Sequence, residues 1–220
     1  MKTRLLSIDP AEVGPETLGE IEAVLAGGGV MAFPTETFYG LGAAAFSSRA
    51  VARIFELKGR DRGKPLPLIA ADLDMVREMA AGLPDAFRPL AAEFWPGPLT
   101  LVLRAAAGLP AFILGPGATV AVRVPPLPWV RRLSYDLSQP LTATSANLSG
   151  EKEIAAAADV VAAFDGKVEL IVDGGKTPGG APSTVLDLTA PEPRLLRPGA
   201  VPEAKIRAVL GAWPSSPGPT

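Results

Sequence analysis

Apolar residues recur along this chain in two spacings, and the switches between them mark out the elements. From Pro15, the positions Leu18, Ile21, Val24 and Leu25 keep a helical period, and the run stops at Gly27-Gly28-Gly29. Proline at the start and glycine past the end are the expected helix punctuation, so a helix is predicted there. Residues 30–33 form a short, continuously apolar run, which reads as a buried strand. Ser47 or Ser48 is placed to cap a helix that turns Val51, Ile54, Phe55 and Leu57 inward. Residues 66–70 are apolar but contain Pro67, which reads as an edge strand or a strand with a break. Asp72 is a cap for the next helix, and Pro84 opens another that ends near Trp95-Pro96-Gly97-Pro98. Strands are predicted over 99–103 and 119–124, a short helix over 128–133, and a strand over 141–144. A helix over 153–164, strands over 168–172, 184–188 and 194–196, and a helix over 202–210 complete the pattern. About seven short strands with interspersed helices imply an α/β fold built on a mixed sheet.

The chain has 220 residues, 48% hydrophobic and 20% charged, with a net charge of -2. This length is enough for one full-sized core, and no domain break is visible, so residues 1–210 are read as one domain. Residues 211–220 are read as a Pro/Ser-rich tail. The chain has neither Cys nor His, which removes thiol nucleophiles, Ser-His-Asp triads and the usual ligands for transition metals. Chemistry must run on Lys, Arg, carboxylates, hydroxyls and backbone groups. The N-terminal apolar run is too short for a secretory signal, and no stretch is long enough for a membrane span, so a soluble cytoplasmic protein is expected.

Two motif matches fail on context. Gly40-Leu-Gly-Ala-Ala-Ala45 fits a dinucleotide fingerprint, but no helix opens inside it. Gly175-Lys176-Thr177 resembles the end of a phosphate loop, but the required upstream glycine is Leu170. Four polar segments remain. The first is Pro34-Thr-Glu-Thr-Phe-Tyr-Gly-Leu-Gly42, where hydroxyls, a carboxylate and a phenol follow a buried strand and suit a polar pocket or an ordinary Thr-rich turn. The second runs from Arg49 to Lys64, with six basic residues against Glu56 and Asp61, a local charge of +4. Lys58-Gly-Arg60 at its helix end suits an anion, with glycine letting the backbone approach closely. A solvated charged face is the alternative. The third is Thr144-Ser-Ala-Asn147-Leu-Ser149-Gly150, which delivers hydroxyls and an amide to one rim, or else caps a helix. Ser145 and Asn147 share a face if that segment stays extended. The fourth joins Arg123, within a β-branched strand, to Ser183-Thr-Val-Leu-Asp187 and Arg197-Pro-Gly199. An arginine so placed needs an anionic partner, either a protein carboxylate such as Asp187 or a ligand carboxylate. Arginines and lysines for phosphates, an arginine for a carboxylate and no side-chain nucleophile suit a reaction driven by a reactive cosubstrate such as ATP.

Taken in order, these segments resemble the YrdC-like family of threonylcarbamoyl-AMP synthases. The resemblance runs from about Ile21 to Val201. It includes Lys58-x-Arg60 with Lys64-Pro-Leu66, Trp95-Pro-Gly-Pro-Leu-Thr100, Val122-Arg-Val-Pro125, Ser183-Thr-Val185 and Leu196-Arg-Pro-Gly-Ala-Val201, beside the segments above. It implies a single-domain twisted mixed sheet around a large concave basic cleft. It also implies conversion of L-threonine, bicarbonate and ATP, with Mg²⁺, to threonylcarbamoyl-AMP and pyrophosphate. A separate transferase complex uses that product to modify tRNA. Carried over by position, Lys58, Arg60, Ser145 and Asn147 form a nucleotide-site quartet in which Lys58 and Arg60 are catalytic. Thr119, Ser149 and Arg197 join the ATP site, and Arg123, Thr35, Thr37 and Ser183 surround the threonine. No protein-held metal is implied. Leu68-Ile69-Ala70 stands where some relatives carry a histidine, and no extra C-terminal domain or lid-like linker is expected.

A different class of reading is a non-catalytic module that clamps double-stranded RNA or tRNA through the same basic residues. The net charge of -2 and the Ser145–Asn147 pair count against it. A carbamoyl-adenylate-handling domain serving another acceptor is disfavoured by the absence of further domains. For the RNA module we predict binding with a steep salt dependence that survives Ser145→Ala and Asn147→Ala; loss of binding in those variants counts against it.

Overall fold

The structure, a computed structural model, describes residues 2–61, 63 and 65–211. Its elements run β1 (Arg4–Ser7), α1 (Pro15–Ala26), β2 (Met31–Pro34), β3 (Tyr39–Gly42), α2 (Ser48–Lys58), β4 (Leu68–Ile69), α3 (Leu73–Met79), α4 (Phe87–Phe94) and β5 (Leu99–Arg104). After a 3-10 turn at Ala111–Ile113 come β6 (Thr119–Arg123), α5 (Pro128–Asp136), β7 (Leu141–Thr142), β8 (Thr144–Ser145), α6 (Ala157–Phe164), β9 (Leu170–Asp173), β10 (Thr184–Asp187), β11 (Arg194–Arg197) and α7 (Glu203–Leu210). The strands form two sheets rather than the one expected. The first has the order β1-β9-β2-β3-β8 and the second β11-β10-β5-β6-β4-β7, and each mixes parallel and antiparallel pairs.

The two-residue side-chain period of the strands sorts them between two apolar clusters. Along β2 and β9, Met31, Phe33, Leu170 and Val172 face Ile21 and Leu25 of α1 and Trp129, Val130 and Leu133 of α5. Ala32 and Ile171, between them, face the other way into the larger cluster with Tyr39 and Leu41 of β3 and with Leu99, Leu101 and Leu103 of β5. Phe33 meets Trp129 edge to face at 6.1 Å. The rejected dinucleotide motif has a packing explanation here. A Cβ on Gly42 would fall 2.8 Å from the Phe33 ring and one on Gly40 would fall 3.3 Å from it, so these glycines clear space for Phe33.

Several sequence expectations shift for identifiable reasons. Residues 66–70 do not make an edge strand, because β4 is paired to β6 on one side and β7 on the other. Pro67 sits just before the paired residues and offers only its carbonyl, to Ala143 N–H at 2.8 Å. The predicted strand over 141–144 divides, with β7 in the second sheet and β8 in the first. The helix expected from 153 begins at Ala157, since the Ile154 and Ala155 carbonyls accept from Tyr39 N and Thr177 N, both at 2.8 Å. The helix expected from Pro84 begins at Phe87. β1 and β3 were not predicted. Of the tail, residues 212–220 lie outside the described residues.

Gly199 follows β11 where the chain crosses back over β10. A Cβ there would fall 2.2 Å from Pro182 O and 2.6 Å from Thr184 N, both backbone atoms. We predict that Gly199→Ala lowers stability by about 1–3 kcal/mol, seen as a lower denaturant midpoint at unchanged slope. An unchanged midpoint contradicts this packing.

Candidate active site at the seam of the two sheets

The four polar segments converge where the two sheets meet. The β2–β3 turn supplies Thr35 and Thr37, the chain after α2 supplies Arg60, and β6 ends on Arg123. The β7–β8 segment brings Thr144 and Ser145, and the second sheet's outer strands bring Ser183 and Arg197. Together with Phe38, Tyr39, Pro182 and Glu153 they line a cleft of about 740 Å³, open solvent space included.

Each wall has a local cause. Thr35 Oγ1 donates to Phe38 O at 2.6 Å and accepts from Thr37 N at 3.2 Å, which folds the β2–β3 connection into a hydroxyl-stapled turn. Among the described residues, Thr37 Oγ1 meets only the Thr35 hydroxyl, at 3.3 Å. The α2 helix is capped by Ser47 as expected, and it ends at Gly59, whose φ of 56° takes the left-handed region that glycine adopts without strain. Lys58 points inward from the buried face of the helix, and the reversal after it lets Arg60 leave toward the cleft.

Lys58 is 3% exposed, and its ammonium donates to Ser145 O at 2.6 Å, Asn147 O at 2.8 Å and Asn147 Oδ1 at 2.9 Å. Three donors thus meet three acceptors. Asn147 Oδ1 also accepts from Ser145 Oγ at 2.6 Å, and Asn147 Nδ2 donates to Glu151 O at 2.6 Å. The segment is not extended as the shared-face expectation required, since Asn147 N turns back onto Ser145 O at 3.0 Å. Ser145 therefore lines the cleft, while Lys58 and Asn147 stand behind it. Burial first, and the positive charge of Arg60 second, lower the Lys58 pKa to about 8, with Glu153 opposing.

Among the described residues, three guanidiniums face the cleft. Arg60 reaches Pro65 O at 3.1 Å, and its partial burial lowers its pKa. Arg197 Nη2 donates to Ser183 O at 2.8 Å and to Ser183 Oγ at 3.0 Å, and the Ser183 hydroxyl lies 3.0 Å from that of Thr100. Desolvation lowers the Arg197 pKa, Glu153 raises it, and Arg123 and Arg60 lower it further. Arg123 pairs with Glu36 and not with Asp187, which pairs with Arg194 at 3.5 Å. Of the remaining sequence-predicted residues, Thr119 lies at the opposite end of β6 from Arg123 and donates to Pro116 O at 3.2 Å. Ser149 is exposed beside the end of α2, its N–H on Lys58 O at 3.0 Å. Neither lines the cleft. Arg62 and Lys64 lie outside the described residues.

Sequence reasoning missed Glu153 and gave Glu36 and Tyr39 no individual role. Tyr39 is fully buried in the larger core, and its hydroxyl donates to Gly175 O at 2.8 Å and accepts from Gly174 N at 3.1 Å. Burial raises its pKa, the Gly174 bond lowers it and Asp173 raises it. Glu153 had no motif to mark it. Among the described residues, no three acidic side chains gather where they could hold a metal ion, and no helix is long and apolar enough to cross a membrane.

A family model described as "Telomere recombination", spanning Sua5, YciO and YrdC proteins, matches residues 23–199. The chain belongs to the Sua5/YciO/YrdC family. It is 46% identical over 184 residues to a threonylcarbamoyl-AMP synthase of Pyrococcus abyssi, covering 84% of this chain and 54% of that sequence. Its match to the Bacillus subtilis threonylcarbamoyl-AMP synthase, 38% identical, covers 96% of this chain and 62% of that one. The chain thus spans a little over half the length of these relatives. A shorter Mycobacterium tuberculosis protein, a putative threonylcarbamoyl-AMP synthase, is 34% identical and matched over 95% of its length. Among solved structures, P. abyssi Sua5 complexed with L-threonine superposes with a TM-score of 0.89 at 41% identity, covering 95% of this chain and 61% of that one. Escherichia coli YciO superposes at 0.84 with 26% identity, covering 93% and 98%.

The Lys58 environment carries a pH signature. Unfolded, the amine titrates near its ordinary value of 10.5, and folded near 8. Below about 8 both states are protonated and the folded state bears the whole cost of burying the charge. Between 8 and 10.5 the unfolded chain binds more protons, so stability gains with rising pH. We predict that wild type gains stability relative to Lys58→Met between pH 7.5 and 10, measured by denaturant unfolding. A difference that stays flat with pH contradicts the assignment.

Proposed function

We propose that this pocket forms threonylcarbamoyl-AMP from L-threonine, bicarbonate and Mg-ATP, releasing pyrophosphate. The observation that carries the reading is the convergence of Arg60, Arg123 and Arg197 on one cleft rimmed by the hydroxyls of Thr35, Thr37, Ser145 and Ser183. The names of the P. abyssi and B. subtilis relatives, and the L-threonine in the P. abyssi structure, support the same chemistry.

In this reading Arg123 receives the amino-acid carboxylate, with Thr37, Thr35 and Ser183 beside the substrate. The amine attacks the carbon of bicarbonate, and water is lost as the carbamate forms. A carbamate oxygen then attacks the α-phosphorus, and the bond to the β-phosphate oxygen breaks, so pyrophosphate leaves with that electron pair. Negative charge grows on the phosphates, and Arg60 and Arg197 stabilise it as fixed cations in a partly desolvated wall. Mg²⁺ arrives as part of the Mg-ATP substrate. Lys58 acts through the Ser145–Asn147 segment, which it holds against the cleft, since its three hydrogens already have protein acceptors. Thr119 and Ser149 stand off the wall, and the reading gives them no contact with the reacting groups. No covalent enzyme intermediate is needed, consistent with a chain that lacks Cys and His. The product would be handed in the cytoplasm to a tRNA threonylcarbamoyl transferase complex.

The test is pyrophosphate release from Mg-ATP and bicarbonate with and without L-threonine. We predict threonine-dependent release that falls about 10²–10³-fold in Arg60→Ala, as when one preorganised donor to developing charge is removed. Lys58→Ala loses activity through disorder of the loop. Absence of threonine-dependent release by the wild-type chain sinks the proposal.

A further inference from the structure

The Arg123–Glu36 pair carries an inference about selectivity, which rests on the amino-acid reading above. Arg123 lines the cleft, but Glu36 does not; it sits behind the guanidinium, next to Thr35 in the β2–β3 turn. The two side chains are 9% and 16% exposed, and Arg123 Nη1 donates to Glu36 Oε1. No other acceptor meets this guanidinium among the described residues, so its remaining N–H groups are left for the cleft. Glu36 Oε2 is buried without a hydrogen-bond partner among the described residues. Leaving a carboxylate oxygen in that state is costly, because its desolvation is not repaid by a donor. A glutamine would present Arg123 with the same oxygen acceptor at no net charge. What the carboxylate adds is its charge.

That charge changes what the wall attracts. Among the described residues the lining holds Arg60, Arg123 and Arg197 against Glu153, a net +2; behind it the Glu36 carboxylate and the Lys58 ammonium offset each other in sum but not in place, Glu36 at Arg123 and Lys58 at Ser145. The Glu36 charge falls at Arg123, so the surplus positive charge is concentrated at Arg60 and Arg197. A bare carboxylate docking on Arg123 meets a guanidinium already neutralised and a second carboxylate close behind it. In a partly desolvated pocket that repulsion is substantial. A ligand that carries its own ammonium beside its carboxylate is neutral overall and avoids the penalty. We propose that Glu36 is a specificity-determining residue that makes the Arg123 subsite accept amino-acid zwitterions and reject simple carboxylates.

Calorimetric titration with L-threonine and with 3-hydroxybutanoate, the same skeleton without the amine, tests this. Wild type is expected to prefer threonine by about tenfold or more. Glu36→Gln is expected to tighten 3-hydroxybutanoate by about tenfold and collapse the preference. Glu36→Asp keeps the charge and keeps the preference. Equal affinity for both ligands in wild type overturns the inference and leaves the amino-acid reading intact. Binding of neither overturns both. A folded Glu36→Gln protein with the wild-type preference overturns the inference, and if that variant does not fold, loss of the preference in Glu36→Asp does so.

Discussion

Lys58 closes its helix by placing an ammonium in the interior, where its three hydrogens meet two carbonyls and a side-chain amide oxygen of the Ser145–Asn147 segment. Burying such a charge is expensive unless every hydrogen finds a partner, and here every one does. The arrangement also answers a need of the segment itself. After β8 the chain turns back, and its carbonyls at 145 and 147 point inward rather than to a strand or to water. Without the ammonium, the loop that delivers Ser145 to the cleft keeps its own turn bonds but loses the three that tie it to the end of α2 from within. The left-handed Gly59 lets the residues on either side of it serve two purposes, with Lys58 supporting the wall from behind and Arg60 facing it from the front.

The cleft is built with its cations held apart from each other by protein contacts. Arg197 is pinned on Ser183, Arg123 on Glu36 and Arg60 against the Pro65 carbonyl. Mutual repulsion and desolvation both act against these charges, which is why the Arg197 pKa is lowered by its two neighbours. The rigid placement means that a polyanion meets donors already aimed, with little reorganisation left to do.

Much of the helix and core pattern was legible because it depends on spacing alone. Ser47 and Asp72 cap where their side chains predicted, and the apolar periods of α1 and α2 are the ones buried. The strands were less legible. β1 and β3 are four residues each, and in β3 glycines alternate with Tyr39 and Leu41 to make room for Phe33, which leaves a pattern too short and too glycine-rich to read as a strand. The division of residues 141–144 between two sheets leaves no local trace, since a one-residue switch looks like a continuous strand. Motif reading did bring Arg60, Arg123, Ser145, Ser183 and Arg197 together on one cleft. It could not tell which members face the cavity and which support it, because Lys58 and Asn147 differ from Arg60 and Ser145 only in the direction a turn gives them. Glu36 stood within a motif, but its pairing with Arg123 spans 87 positions and is a tertiary fact.

The division at Ala143 has a thermodynamic corollary. The β7–β8 segment is the shortest of three covalent crossings between the two sheets, and the cleft takes one wall from each: Thr37 and Ser145 from the first, Arg123 and Arg197 from the second. A ligand that touches both walls adds a polar tie between sheets that already share the larger apolar cluster. Occupancy then stiffens the joint, not merely the loops around it. The resistance of each sheet to opening, as read by amide exchange, becomes a property shared through the bound molecule.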